Sequence, residues 1–141
     1  MAATSTLRRI IGIFTGMVVG AFTTGVLQTI GHQFYPPPSG LNPGDTEALR
    51  AALASAPMEA LLFVLASYLF GTLCGATVAG WAGHGDRVAV AGSTLLLLAA
   101  GILNLVMIPH PTWFTALCPL SFIAGGLFAH RITRLEEGIA A

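Results

Sequence analysis

The segment 57–83, PMEALLFVLASYLFGTLCGATVAGWAG, decides the fold class of this chain. Between Met58 and Ala82 its one charged side chain is Glu59, which lies at the very start. A helix rises about 1.5 Å per residue, so a stretch of this length crosses a hydrocarbon core of about 30 Å. We therefore expect a membrane-spanning helix over residues 58–82.

The same segment has a small side chain at every fourth position, and a helix places these positions along one slowly turning stripe. Small residues let two helix backbones approach closely, which is how helices associate in lipid. The segment is thus expected to be the packing centre of the protein. The stripe consists of Ser67, Gly71, Gly75, Ala79 and Gly83.

The composition of the whole chain belongs to a membrane protein. Of its 141 residues, 55% are hydrophobic and 9% are charged. A typical soluble domain is about 25% charged, so these residues cannot cover a water-facing surface. We expect one membrane domain, residues 1–141, with the lipid bilayer as its first partner. The formal net charge of zero argues against a nucleic-acid partner, which would need a basic patch.

Four apolar segments are near the length of a helical span: about 10–30, 58–82, 88–108 and 113–130. The first is too long for the hydrophobic region of a cleaved signal peptide, so we expect it to be retained. The predicted fold is all-α, a bundle of four transmembrane helices.

The arginines predict the orientation of this bundle. One side of the spans carries a single arginine, Arg50, within the long loop 31–57. Cytoplasmic loops carry the excess of basic residues, so the arginine-rich side is predicted to be cytoplasmic. Both termini would then be cytoplasmic in a bacterial-type inner (plasma) membrane. The five arginines of that side are Arg8, Arg9, Arg87, Arg131 and Arg134.

The loop 31–57 is predicted to be the outer loop and to contain a short amphipathic helix. Asp45 or Thr46 can cap the start of that helix. Apolar residues then recur at spacings of three and four, which places them on one helical face that can lie on the membrane surface. That face comprises Leu49, Ala52, Leu53 and Ala56.

Small residues in the other spans predict how the helices pair. Gly12, Gly16 and Gly20 form a stripe in the first span, and Gly125 belongs to a similar row in the fourth. With the first two spans antiparallel, the glycines of the first span meet the 75–83 stretch of the second. Matching by depth then predicts that the outer-half residues Thr24, Gln28 and His32 meet Ser67, Phe63 and Glu59.

A faint internal repeat relates the second and fourth spans. Four residues in or just before the second span are matched, 54 positions later, by identical or similar residues in or just before the fourth span. This pattern is expected of a duplicated hairpin, although such residues are also common in membrane helices. The matched residues are Pro57, Ser67, Tyr68 and Gly71 with Pro111, Ser121, Phe122 and Gly125.

Polar side chains gather at the predicted outer ends of the spans. Two imidazoles and a carboxylate can hold Zn²⁺ or Cu²⁺ or relay protons. The alternative is that these side chains cap helix ends and contact lipid headgroups. Since no ligand spacing matches a metal signature, no metal or cofactor is assigned. The candidate ligand or ion-binding residues are His32, Glu59, Asn104 and His110.

Three functions remain to be distinguished. The first is a small structural or accessory protein that acts by helix packing, as a homo-oligomer or with a larger membrane partner, because the small-residue stripes exceed the needs of one bundle. The alternative is a minimal transporter or channel with an outer-rim site at His32, Glu59 and His110. An enzyme ranks last, since no histidine lies within two turns of Ser67 or Ser121.

Overall fold

A computed structural model describes residues 2–42 and 44–140 of the chain. Those residues form five helices and contain no strand. Four of the helices are long and apolar enough to cross a membrane, so the chain is a multi-pass membrane protein of the predicted all-α class. The helices are α1 (Ala2–Phe34), α2 (Thr46–Ser55), α3 (Met58–Ala82), α4 (Arg87–Met107) and α5 (Thr112–Ala140).

Two helices extend well beyond the predicted spans. α1 begins at Ala2 instead of near residue 10 and ends at Phe34, and α5 continues to Ala140 instead of ending near residue 130. Hydropathy detects the part of a helix that can lie in lipid, whereas backbone hydrogen bonding continues into polar sequence. α3 has the predicted bounds.

Consecutive spanning helices run antiparallel, so the five arginines of the predicted cytoplasmic side lie at one end of the bundle. We call this the arginine end, and the opposite end, with segments 35–57 and 108–111, the loop end. α1 and α4 are parallel and in constant register, because Gly12 lies against Ala89 and Gly16 against Ser93.

α3 is the packing centre of the bundle. It contacts all three other spanning helices, whereas no contact joins α1 and α5 among the described residues. In its most apolar stretch 44% of the residues are buried, compared with 17–33% in the other three helices. The other helices therefore turn more of their apolar surface outward, as lipid-facing helices do.

α3 and α5 are parallel neighbours, and the internal repeat places equivalent residues side by side. The ring of Tyr68 stacks on that of Phe122 at a centroid distance of 4.9 Å. Gly125 packs against the backbone of α3 at Leu69 and Leu73. Three of the repeated positions, Tyr68, Phe122 and Gly125, thus lie at the contact between these two helices.

Large and small side chains fill different halves of the bundle. The arginine half has a small core of Ala76, Val90 and Ala129, where glycines bring the helix backbones together. The loop half has a larger core, in which whole aromatic and leucine side chains are buried. Its members are Leu61, Leu65, Tyr68, Leu97, Phe114, Cys118 and Phe122.

The amphipathic helix expected in the long loop is α2. The carboxylate of Asp45 caps it, since Oδ1 accepts hydrogen bonds from the backbone N–H groups of Glu47 (3.1 Å) and Ala48 (3.0 Å). No residue of α2 is fully buried, but Leu53 and Ala56 pack against the loop-half core. α2 therefore rests on the loop end instead of joining the bundle.

Candidate functional site

Polar side chains inside the loop half form a hydrogen-bonded network across three helices. The side-chain amide of Asn104 on α4 donates to the hydroxyl of Tyr68 on α3 at 3.1 Å. From α1, Gln28 Nε2 donates to the Ser67 hydroxyl at 3.4 Å, and the Thr24 hydroxyl donates to the Ser67 carbonyl at 3.3 Å. Polar groups in a membrane bundle commonly join helices in this way.

No buried side-chain nitrogen or oxygen of the described residues lacks a hydrogen-bond partner. A polar group that is already paired inside the bundle is not free to bind cargo without breaking that bond. Asn104, a predicted ligand residue, is one of these paired groups. The network therefore fixes the relation of α1, α3 and α4.

Two clefts flank α2 at the loop end. The first, which we call the α1 cleft, has a volume of about 490 Å³ and lies between the end of α1, the prolines 36–38, α2 and α3. Its polar residues include Gln28, His32 and Tyr35, and most of the remaining lining is apolar.

The second cleft, the α5 cleft, has a volume of about 550 Å³ and lies between α2, the start of α3 and the α4–α5 turn. Arg50, His110, Thr112 and Trp113 line it together with apolar side chains. Leu61 belongs to both clefts, so the two lie side by side beneath α2.

His110 is held rigidly at the α5 cleft. Its Nδ1 lies 2.7 Å from the backbone carbonyl oxygen of Ile108, so the neutral ring carries its proton on Nδ1 and leaves Nε2 free. The ring stacks on Phe114 at 4.6 Å with an interplanar angle of 9°. Burial lowers the pKa of His110, which favours this neutral form.

The predicted rim residues are spread over the loop end. His32 is exposed at the α1 cleft and His110 lines the α5 cleft, whereas Glu59 is exposed and lines neither. No hydrogen bond or ion pair joins His32 to Glu59, and the residue of α1 that packs against Phe63 is Gly31. The described residues contain no group of three or more His, Cys, Asp or Glu side chains placed to hold a metal.

The helix-packing candidates lie at contacts within the chain. Gly12, Gly16 and Gly20 are buried against α3 and α4, and Gly125 is buried against α3. Ser67, Gly71, Gly75 and Ala79 are buried on α3, and their glycines contact α1. These stripes are therefore used in packing one chain, and their number no longer argues for association between chains.

Two residues outside the predicted site have defined places in the structure: Tyr68 in the loop half and Arg50 at the loop end. Tyr68 is 8% exposed and carries the acceptor of the Asn104 amide. A tyrosine hydroxyl in the middle of an apolar span needs a partner, and this was the available sequence signal. No sequence signal pointed to Arg50, because its place in one cleft with His110 and Trp113 depends on how α2 folds back onto the loop end.

Comparison with known proteins gives this chain no relatives: no protein-family model, curated protein or solved structure matches it.

Proposed function

We propose that this chain is a small structural or accessory protein of a bacterial-type inner membrane that acts by helix packing, as a homo-oligomer or with a larger membrane partner. The observation that carries the proposal is the complete pairing of buried polar side chains among the described residues. A transporter needs polar groups that face one shared cavity. Here His32 and His110 line separate clefts, and Glu59 lines neither.

One exposed part of α1 supports association with a second helix. A Cβ atom added at Gly25 would meet no atom within 4 Å, in contrast to the glycines that face α3. Around Gly25 lies a shallow apolar notch of about 420 Å³, lined also by Phe22, Val26, Thr29 and Ile30. Ala21, Gly25 and Thr29 are exposed at spacings of four, which is the spacing that lets two helices approach closely.

The experiment that tests the proposal is native mass spectrometry of the purified protein with a Gly25→Leu variant. A leucine at Gly25 fills the notch without touching the rest of the bundle, so we expect loss of the oligomer and a folded monomer. Ala116→Leu is the matched control, since Ala116 is an exposed small residue on α5. That variant should keep the oligomer.

A monomeric mass of the unaltered protein at every detergent concentration would contradict the homo-oligomer. An oligomer that survives Gly25→Leu would instead contradict the assigned contact and move it away from this face of α1.

A further inference from the structure

The α5 cleft combines an arginine, two rigid aromatic rings and an apolar floor. Arg50 contributes the positive charge from α2, His110 comes from the α4–α5 turn, and Trp113 comes from the first turn of α5. The floor is formed by Leu53, Met58 and Leu61.

The charge of Arg50 is uncompensated. No carboxylate of the described residues lies within ion-pair distance of its guanidinium, although Glu47 is one helical turn away. Arg50 is also the one arginine of the loop end. An arginine guanidinium presents several N–H donors in a planar fork that matches a phosphate group.

The aromatic side of the cleft is fixed in place. The Trp113 ring meets the Phe114 ring edge to face at a centroid distance of 6.0 Å, and His110 stacks on the same Phe114 ring, which is fully buried. Tryptophan is enriched where a membrane protein crosses from hydrocarbon to headgroups. Trp113 therefore favours placing the cleft at the depth where a lipid changes from acyl chain to headgroup.

We propose that the α5 cleft binds one anionic phospholipid, with its phosphate at Arg50 and the start of an acyl chain along Met58 and Leu61. The uncompensated guanidinium complements the phosphate, and the apolar floor complements the chain. A soluble phosphate would satisfy Arg50 but leave the floor in contact with water. Lipid binding in this cleft does not require the oligomer proposed above.

The two tryptophans of the chain provide a local test. Trp81 lies at the arginine end and is exposed, so Trp81→Phe leaves Trp113 as the single indole, next to the cleft. This variant is reconstituted in phosphatidylcholine vesicles that contain a small fraction of either brominated phosphatidylglycerol or brominated phosphatidylcholine. Bromine quenches an adjacent indole, so we expect an apparent affinity about fivefold higher for phosphatidylglycerol, as one arginine near an anionic headgroup supplies.

Three further variants in the same background locate the site. Arg50→Gln should abolish the preference for phosphatidylglycerol, whereas Arg87→Gln at the arginine end should preserve it. Ala54→Leu should weaken quenching while Arg50 is retained, because Ala54 lines the cleft and a larger side chain occupies it. Circular dichroism and thermal unfolding check that each variant is folded, as expected for exposed positions.

Several outcomes would overturn the proposal. Equal quenching by the two brominated lipids would show that the cleft does not select an anionic headgroup. A preference that persists in Arg50→Gln would place the anion elsewhere. Relief of quenching by inorganic phosphate at comparable concentration would identify a site for soluble anions instead of a lipid.

Discussion

At the scale of single residues, Gly16 determines how closely α1 and α3 approach. A Cβ atom added there would lie 2.6 Å from both the Cβ of Ala79 and the carbonyl oxygen of Gly75. One of these atoms is backbone, so the helices must move apart to admit a side chain. The absence of a side chain at Gly16 is thus what allows the backbones of α1 and α3 to approach this closely.

We predict that Gly16→Ala lowers the free energy of unfolding by about 1–3 kcal/mol, the usual cost of overpacking. Unfolding in mixed micelles with increasing denaturing detergent measures it. Gly25→Ala is the matched control on the same helix, because its new methyl group meets no other helix of its own chain, and both variants are compared at detergent concentrations where the protein is monomeric. That variant should be neutral or slightly more stable, since alanine is the better helix former. Equal effects of the two substitutions would contradict the assigned helix contact.

The Tyr68 hydroxyl is a second residue-scale determinant. Tyr68→Phe leaves the ring stacked on Phe122 but removes the acceptor of the Asn104 amide. We expect a loss of about 0.5–2 kcal/mol of stability, the range of hydrogen bonds between membrane helices and of unpaired buried donors. A double-mutant cycle with Asn104→Leu should show coupling between the two positions. Additive effects would mean that the bond contributes nothing.

At the scale of helices, α3 ends in a turn that holds a non-glycine residue in a strained, left-handed backbone conformation. Gly85 N–H donates to the Gly80 carbonyl at 2.9 Å and His84 N–H to the Trp81 carbonyl at 3.1 Å, the two bonds of a Schellman motif. The motif requires a left-handed residue, and here that residue is His84, with φ of 55°.

Since glycine adopts a positive φ at no steric cost, His84→Gly should raise stability by up to about 1 kcal/mol. Thermal unfolding in detergent micelles measures the change. Gly85→Ala is the opposing control, because Gly85 also has a positive φ, of 80°, and alanine there should destabilise the turn. An unchanged or lower stability of His84→Gly would show that the imidazole contributes more than its strain costs.

The parallel helices α1 and α4 are also joined by an ion pair at the arginine end. Arg9 Nε donates to Asp86 Oδ2 at 2.7 Å, and this hydrogen bond holds the pKa of Asp86 below its usual value. Asp86 also caps α4, since Oδ1 accepts from the backbone N–H of Val88 at 2.7 Å. The carboxylate therefore has two structural roles.

A lowered folded-state pKa adds stability above the unfolded pKa, near 4, and this contribution disappears as the pH falls through the folded value. The Arg9 side chain is 43% exposed, so solvent screens the pair and we expect a contribution of at most about 1 kcal/mol. Stability measured between pH 7 and pH 3 should fall less in Arg9→Gln than in the unaltered protein. Parallel curves for the two proteins would show that the pair does not contribute.

At the scale of the whole molecule, the charge distribution predicts orientation. Five arginines lie at the arginine end and Arg50 alone at the loop end. The positive-inside rule then places both termini in the cytoplasm, which we propose for this chain. The alternative orientation would put the five arginines on the translocated side.

Single cysteines can measure this orientation after Cys74 and Cys118 are replaced. Ser39→Cys at the loop end should react with a membrane-impermeant maleimide in intact cells, and Thr4→Cys at the arginine end should react only after the membrane is opened. Both positions are exposed, so reactivity reports the side of the membrane. The reverse pattern of labelling would overturn the proposed orientation.

The helical elements of this protein could be predicted from its sequence alone. The spans of about twenty apolar residues are local properties of the chain, and so are the apolar face of α2 and its Asp45 cap. Helix formation and partition into lipid depend on residues within a few turns. The small residues that pack α1 on α3 could also be named in advance. Helix bounds were less predictable, since hydropathy does not mark where hydrogen bonding stops.

Which of these elements meet depends on how the helices pack in three dimensions. The small-residue stripes pack within one chain, Gly25 remains exposed, and no hydrogen bond or ion pair joins His32 to Glu59. Folding also places Arg50 in one cleft with His110 and Trp113, which come more than fifty positions later in the chain. Neighbouring residues of a helix differ by about 100° around its axis, so the rotation of the whole helix about that axis decides which side chains face a partner. The packing of the partner helices sets this rotation of the helix, and a local stretch of sequence does not.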